Sequence, residues 1–122
     1  MKNLLTICFL LSAIASFAQK KTEITFKVDG VCGMCEDRIE QALDVPGVII
    51  SDWNVESKML KVAYKTKKIS EQQIHQRVAD AGHDTDRVKA TDEVYAMIHS
   101  CCKYRDGASC SGEEKHSHDD RK

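Results

Sequence analysis

The apolar pattern of this chain switches repeatedly between two periods, and that constrains its fold more than any other feature. Ile24, Phe26 and Val28 recur at every second position within 23–29, which predicts a strand with one buried face. Cys35, Ile39, Ala42 and Leu43 then fall at helical spacing, and Pro46-Gly47 breaks the chain. Residues 48–55 predict a second strand. Residues 59–65 predict a third, with Leu60, Val62 and Tyr64 on one face and Lys61 and Lys65 on the other. Ser70, with Gln73 three residues on, is a capping-box pattern that starts a second helix. Ile74, Val78 and Ala81 form its apolar stripe, and Gly82 sits where a helix-ending glycine belongs. His75 falls on its polar face and reads as solvated. Residues 84–90 predict a weaker fourth strand, with Thr85 and Val88 as its apolar contributions.

This order predicts an α+β, ferredoxin-like βαββαβ sandwich, with two helices on a four-stranded antiparallel sheet. The expected core is Ile24, Phe26, Val28, Ile39, Leu43, Trp53, Val55, Leu60, Val62, Ile74 and Val78. Met59 and Met97 read as packing residues.

Chemistry concentrates in Cys32-Gly33-Met34-Cys35, at the predicted strand-to-helix turn. A helix N-terminus offers unsatisfied N–H groups and partial positive charge, both of which favour thiolate, the form that binds soft metals. A bare Cys-x-x-Cys is also compatible with a redox pair, a zinc site or a structural disulfide. Pro46, the sole proline, lies directly after the first helix, so none remains for the cis-proline loop of a thioredoxin-type site. No second Cys-x-x-Cys or His pair lies within 23–90 to complete a four-ligand zinc site.

The order and the loop together resemble the heavy-metal-associated domain, the fold of small copper chaperones, of amino-terminal domains of copper-transporting P-type ATPases and of the periplasmic mercury-binding protein. The resemblance rests on Cys32-Gly33-Met34-Cys35 followed by Arg38-Ile39-Glu40-Gln41-Ala42-Leu43, then Pro46-Gly47-Val48, Leu60-x-Val62-x-Tyr64 and Ala81-Gly82. It covers 23–90. It implies that Cys32 and Cys35 bind a soft ion, Cu(I) first and Hg(II) or Zn(II) as alternatives. It also implies a metal-transport partner such as a copper-transporting P-type ATPase. Two positions depart from the family pattern. Gly30 stands where the family places an inward-packed methionine, and Met34 lies inside the pair as a candidate substitute. His83 stands where Tyr or Phe is usual, and is a candidate third ligand or a donor to a thiolate; the alternative is a solvated histidine at a helix end.

The amino-terminal residues predict export. Lys2 precedes an apolar run from Leu4 to Ala15, and Ser16-Phe17-Ala18 supplies a cleavage pattern. The run is shorter than the ~20 residues of a membrane span. Residues 1–18 are therefore expected to be a signal peptide, the mature protein periplasmic, and the heavy-metal-associated domain to occupy 19–90. Cleavage removes Cys8 and leaves Cys32, Cys35, Cys101, Cys102 and Cys110. That is too few for a disulfide-built scaffold and an odd number, as site chemistry would leave.

A short helical Cys-Cys extension is expected over 91–105 and a disordered Cys/His tail over 106–122. His99, Cys101, Cys102, Cys110, His116 and His118 are six donors for soft or borderline metals in a short tract. Cys101 and Cys102 are candidate ligands of a second site, or of a tail folded over the first. The alternative is a disulfide to Cys110 with solvated histidines. A vicinal Cys101-Cys102 disulfide would be strained. Eighteen basic against nineteen acidic residues give no field that calls for nucleic acid. No acid/base pair, activated nucleophile or phosphate loop is legible, so no enzymatic activity is expected.

Overall fold

The structure, a computed structural model, describes residues 20–108. The proposed signal peptide, Cys8, Cys110, His116 and His118 lie outside the described residues.

The elements are β1 (Lys21–Lys27), α1 (Gly33–Ala42), β2 (Val48–Trp53), β3 (Met59–Lys65), α2 (Glu71–Asp80) and α3 (Asp92–Met97), followed by two 3-10 turns at Ser100–Cys102 and Tyr104–Asp106. The three strands form one antiparallel sheet in the order β1-β3-β2. Ile24 pairs with Val62 and Phe26 with Leu60, while Trp53 meets Leu60 from the other side. Alternation puts Leu60, Val62 and Tyr64 of the central strand in the core. Ile39 and Leu43 from α1 and Ile74 and Val78 from α2 complete it. Ile24 and Val55, expected in the core, are only partly buried against it. Met59 and Met97, expected to pack, are 37% and 80% exposed.

The capping box forms as expected: Ser70 Oγ accepts the Gln73 N–H at 3.2 Å, and Gln73 Oε1 accepts the Ser70 N–H at 2.9 Å. Gly82 has φ +100°, and a Cβ there would lie 2.3 Å from Ile98 Cγ2. Only glycine both ends α2 in the left-handed region and lets α3 close on it.

The fourth strand does not form. Residues 84–90 keep one isolated bridge to the sheet edge, Val28 with Thr85. The reason is local. Thr85 Oγ1 accepts the N–H groups of Arg87 and Val88, and the Asp84 carboxylate accepts that of Ala90. Side-chain acceptors thus take the donors that a ladder would need.

His75 is not solvated. It is 1% exposed and stacks on Phe26 at 3.8 Å between ring centroids, with Nδ1 2.8 Å from Thr85 Oγ1. Burial lowers its pKa. Asp86 and Glu71, 3.7 and 3.9 Å from the ring nitrogens, oppose that shift, and Arg87 adds to it. An unfolded histidine titrates near pH ~6.5. Below that value the unfolded chain binds more protons than the native one, so the stability present at neutral pH is lost as pH falls toward the depressed native pKa. Thermal unfolding should therefore shift to lower temperature between pH 7 and 5. The shift should be smaller in His75→Gln; an equal shift in both proteins would show that His75 does not carry it.

Candidate metal centre

Cys32 is the N-cap residue of α1, in extended conformation, and its carbonyl accepts the N–H groups of Cys35 and Glu36 at 2.9 and 3.1 Å. Its side chain makes no cap hydrogen bond. Cys35, in the first turn of the helix, is fully buried, and its Sγ receives the Val31 N–H at 3.4 Å. Both cysteines thus stand at the N-terminal end of α1.

The loop is wedged from below by Trp53. The indole is 1% exposed and donates Nε1–H to the Val28 carbonyl at 3.1 Å. A Cβ on Gly30 would lie 2.9 Å from two indole carbons and 3.2 Å from Cys35 Cβ. The indole therefore fills the space beside Gly30, and Met34 does not take the inward place. Met34 is half exposed, with Sδ 3.3 Å from Cys101 Sγ. From above, Lys58 Nζ donates to the Val31 carbonyl at 3.3 Å and lies over the Trp53 ring.

The extension folds onto this loop. Tyr95, Ile98 and Cys102 belong to the same buried cluster as the strands and helices. Cys102 is 1% exposed, and its Sγ lies 2.7 Å from Cys35 Sγ. That separation is longer than the 2.03–2.05 Å of a disulfide. Burial and the neighbouring Cys35 push the Cys102 thiol pKa up. Cys101 Sγ lies 3.9 Å from Cys102 Sγ and 3.2 Å from His99 Nδ1. Four sulfurs from two distant segments therefore gather, Met34 and Cys35 from the loop and Cys101 and Cys102 from the extension. A cleft of about 210 Å³ lined by Met34, Asp37, Arg38, Gln41, His99 and Cys102 opens beside them. Among the described residues no group of three or more His, Cys, Asp and Glu stands ready-made to hold a metal ion.

His83 is fully buried, so it is not the solvated helix-end residue of the alternative reading. Its Nδ1–H donates to the Asp29 carbonyl at 2.9 Å, and Nε2 has no hydrogen-bond partner. The ring stacks on Tyr104 at 5.7 Å, and burial lowers its pKa against the opposing pull of Asp29 and Asp84. The structure engages His83 with backbone and not with a thiol.

The residues that position Cys102 escape motif reading. Arg105 binds the Asp84 carboxylate through Nη2 at 2.7 Å and Nε at 3.1 Å, and also reaches Asp92 at 3.1 Å and the Ala90 carbonyl at 2.7 Å. Burial works to raise the Asp84 pKa, but Arg105 and the Ala90 amide hold it below the usual carboxylate range. Tyr104 Oη donates to the Gly82 carbonyl and accepts the Asp84 N–H. The available signal was Tyr95, Ile98 and Cys102 at i, i+3 and i+7, one apolar stripe beyond the expected domain end.

No family model matches the sequence, and no curated protein matches it. Solved structures do. The metallochaperone CopZ is 30% identical, with a TM-score of 0.51 over 52% of this chain and 98% of its own. Oxidized MerP from Ralstonia metallidurans CH34 is 28% identical, with a TM-score of 0.52 over 55% and 96%. The N-terminal domain of a potential copper-translocating P-type ATPase from Bacillus subtilis, in the Cu(I)-loaded state, is 25% identical, with a TM-score of 0.52 over 54% and 85%. A βαββα core with two cysteines at the first helix start defines a class of small metal-binding domains. This chain belongs to the heavy-metal-associated domain family.

Arg105 is the main polar tie of the extension, and hydrogen bonds to charged groups contribute about 1.5–3 kcal/mol each. At ~1.4 kcal/mol per tenfold, Arg105→Ala should raise the alkylation rate of Cys35 and Cys102 roughly tenfold to a hundredfold. Mass-spectrometric labelling of the reduced protein measures this. Unchanged labelling would mean that the extension is held without Arg105.

Proposed function

We propose that this protein is an exported carrier of a soft metal ion, Cu(I) first, which it holds through Cys32 and Cys35 and passes on by thiolate exchange. The observation that carries this reading is the placement of both cysteines at the N-terminus of α1, one at the cap and one in the first turn. As the ion binds, each thiol gives its proton to solvent. An incoming thiolate from an acceptor then bonds to the ion before a donor sulfur leaves, so the ion is never bare. The proposed acceptor is a thiol-bearing domain of a metal-transport protein, such as a copper-transporting P-type ATPase. Likeness to CopZ and to the Cu(I)-loaded ATPase domain supports both the ion and the acceptor. Hg(II) and Zn(II) are the alternative ions. No enzymatic step is proposed. The proposed site of action is the periplasm, a reading supported by the apolar run from Leu4 to Ala15 followed by Ser16-Phe17-Ala18.

Titration of the reduced protein with Cu(I) against a chromophoric chelator should give one tightly bound ion per chain. Replacing both Cys32 and Cys35 with Ser should abolish that binding while leaving the fold intact by circular dichroism. Tight binding retained in the double variant would overturn the assignment.

A further inference from the structure

We infer that Cys102 is a third thiolate of the metal site, brought by the extension to close over the Cys32–Cys35 loop. This rests on the reading of Cys32 and Cys35 as the primary pair.

Three observations converge. The first is proximity: Cys102 Sγ is 2.7 Å from Cys35 Sγ, although 67 residues separate the two in sequence. The second is support. Cys102 sits in a 3-10 turn closed by its N–H to the His99 carbonyl at 2.8 Å. That turn is flanked by Tyr95 and Ile98 in the core and by Arg105 on Asp84. Side chains locked in this way are what a preorganised site requires. The third is access. Cys102, itself buried, is one of the residues lining the cleft beside α1, together with His99 and Met34. Cys101 Sγ and Met34 Sδ, 3.3 Å apart, stand at the mouth of the same sulfur group.

The chemistry follows from the donor set. Soft thiolate ligands select soft ions. Two thiolates on an open loop leave the ion exposed to a competing ligand, whereas a third from above shields it. A buried cysteine also serves simply as a small apolar residue. In that role Ala would replace Cys102 at no cost to metal binding, and this separates the two accounts.

The test uses the full reduced chain and Cu(I) alone, with competition against a chromophoric chelator and sulfur counting by X-ray absorption. The wild type should bind one ion with three sulfur neighbours. Cys102→Ala and the near-isosteric Cys102→Ser should each still bind one ion, with two sulfurs and an affinity at least ~10-fold weaker, since loss of an outer partner alone costs ~10–100-fold. Equal affinity and an equal sulfur count in folded Cys102→Ser would overturn the proposal and leave Cys102 as packing. Tight binding that survives loss of Cys32 and Cys35 would instead overturn the primary pair, a distinct result.

Discussion

Arg105 on Asp84 is the interaction on which the site's final shape depends. Asp84 is 8% exposed, so its carboxylate has little water to satisfy it. Arg105 supplies two donors in the fork geometry that matches a carboxylate, and the Ala90 amide supplies a third. The same guanidinium ties down Asp92 at the start of α3 and the Ala90 carbonyl. It also lies 4.4 Å from the Tyr95 ring centroid. One side chain thereby joins the end of the βαββα core to both ends of the extension. Without that clamp, the apolar contacts of Tyr95 and Ile98 and the Tyr104 hydroxyl would have to hold the extension.

The clamp explains two departures from the expected fold together. Asp84 and Thr85 spend their acceptors on turn and extension donors, so 84–90 does not join the sheet as a fourth strand. The segment is consumed as a platform. Tyr104 completes it by bonding Gly82 and Asp84 on either side of His83, and by stacking on that imidazole. His83 is thus held by the extension as well as by Asp29. Its buried Nε2 faces no hydrogen-bond partner, an unusual state for a polar atom.

How much of this was legible in the sequence depends on the range of the forces involved. The 59–65 strand and the Ser70/Gln73 cap follow from period and from residues three apart, and both form as read. The Cys32–Cys35 helix start is also a local signal. His75 was misread because a histidine between polar neighbours looks solvated; only the sheet edge brings Phe26 over its ring. Gly30 could be seen as a missing methionine, but not that Trp53, 23 positions away, occupies the space. Asp84 and Arg105 carry no motif at all, because their pairing spans 21 residues and exists only once the chain is folded.

Burial of Cys35 has a consequence for any ion held there. Cys32 is partly exposed, while Cys35 and Cys102 are almost wholly covered. In the proposed exchange, an acceptor thiolate would meet the ion from the Cys32 side first, and the covered sulfurs would release last. In a bare βαββα domain, Cys35 would lose the cover that Cys102 provides. Here the extension holds one more thiol against the inner cysteine than the loop alone supplies. Under the proposed function, opening the Arg105–Asp84 clamp and releasing the ion would be linked events. Retention of metal would then depend on the stability of an 18-residue segment, 91–108, that adds no strand to the sheet.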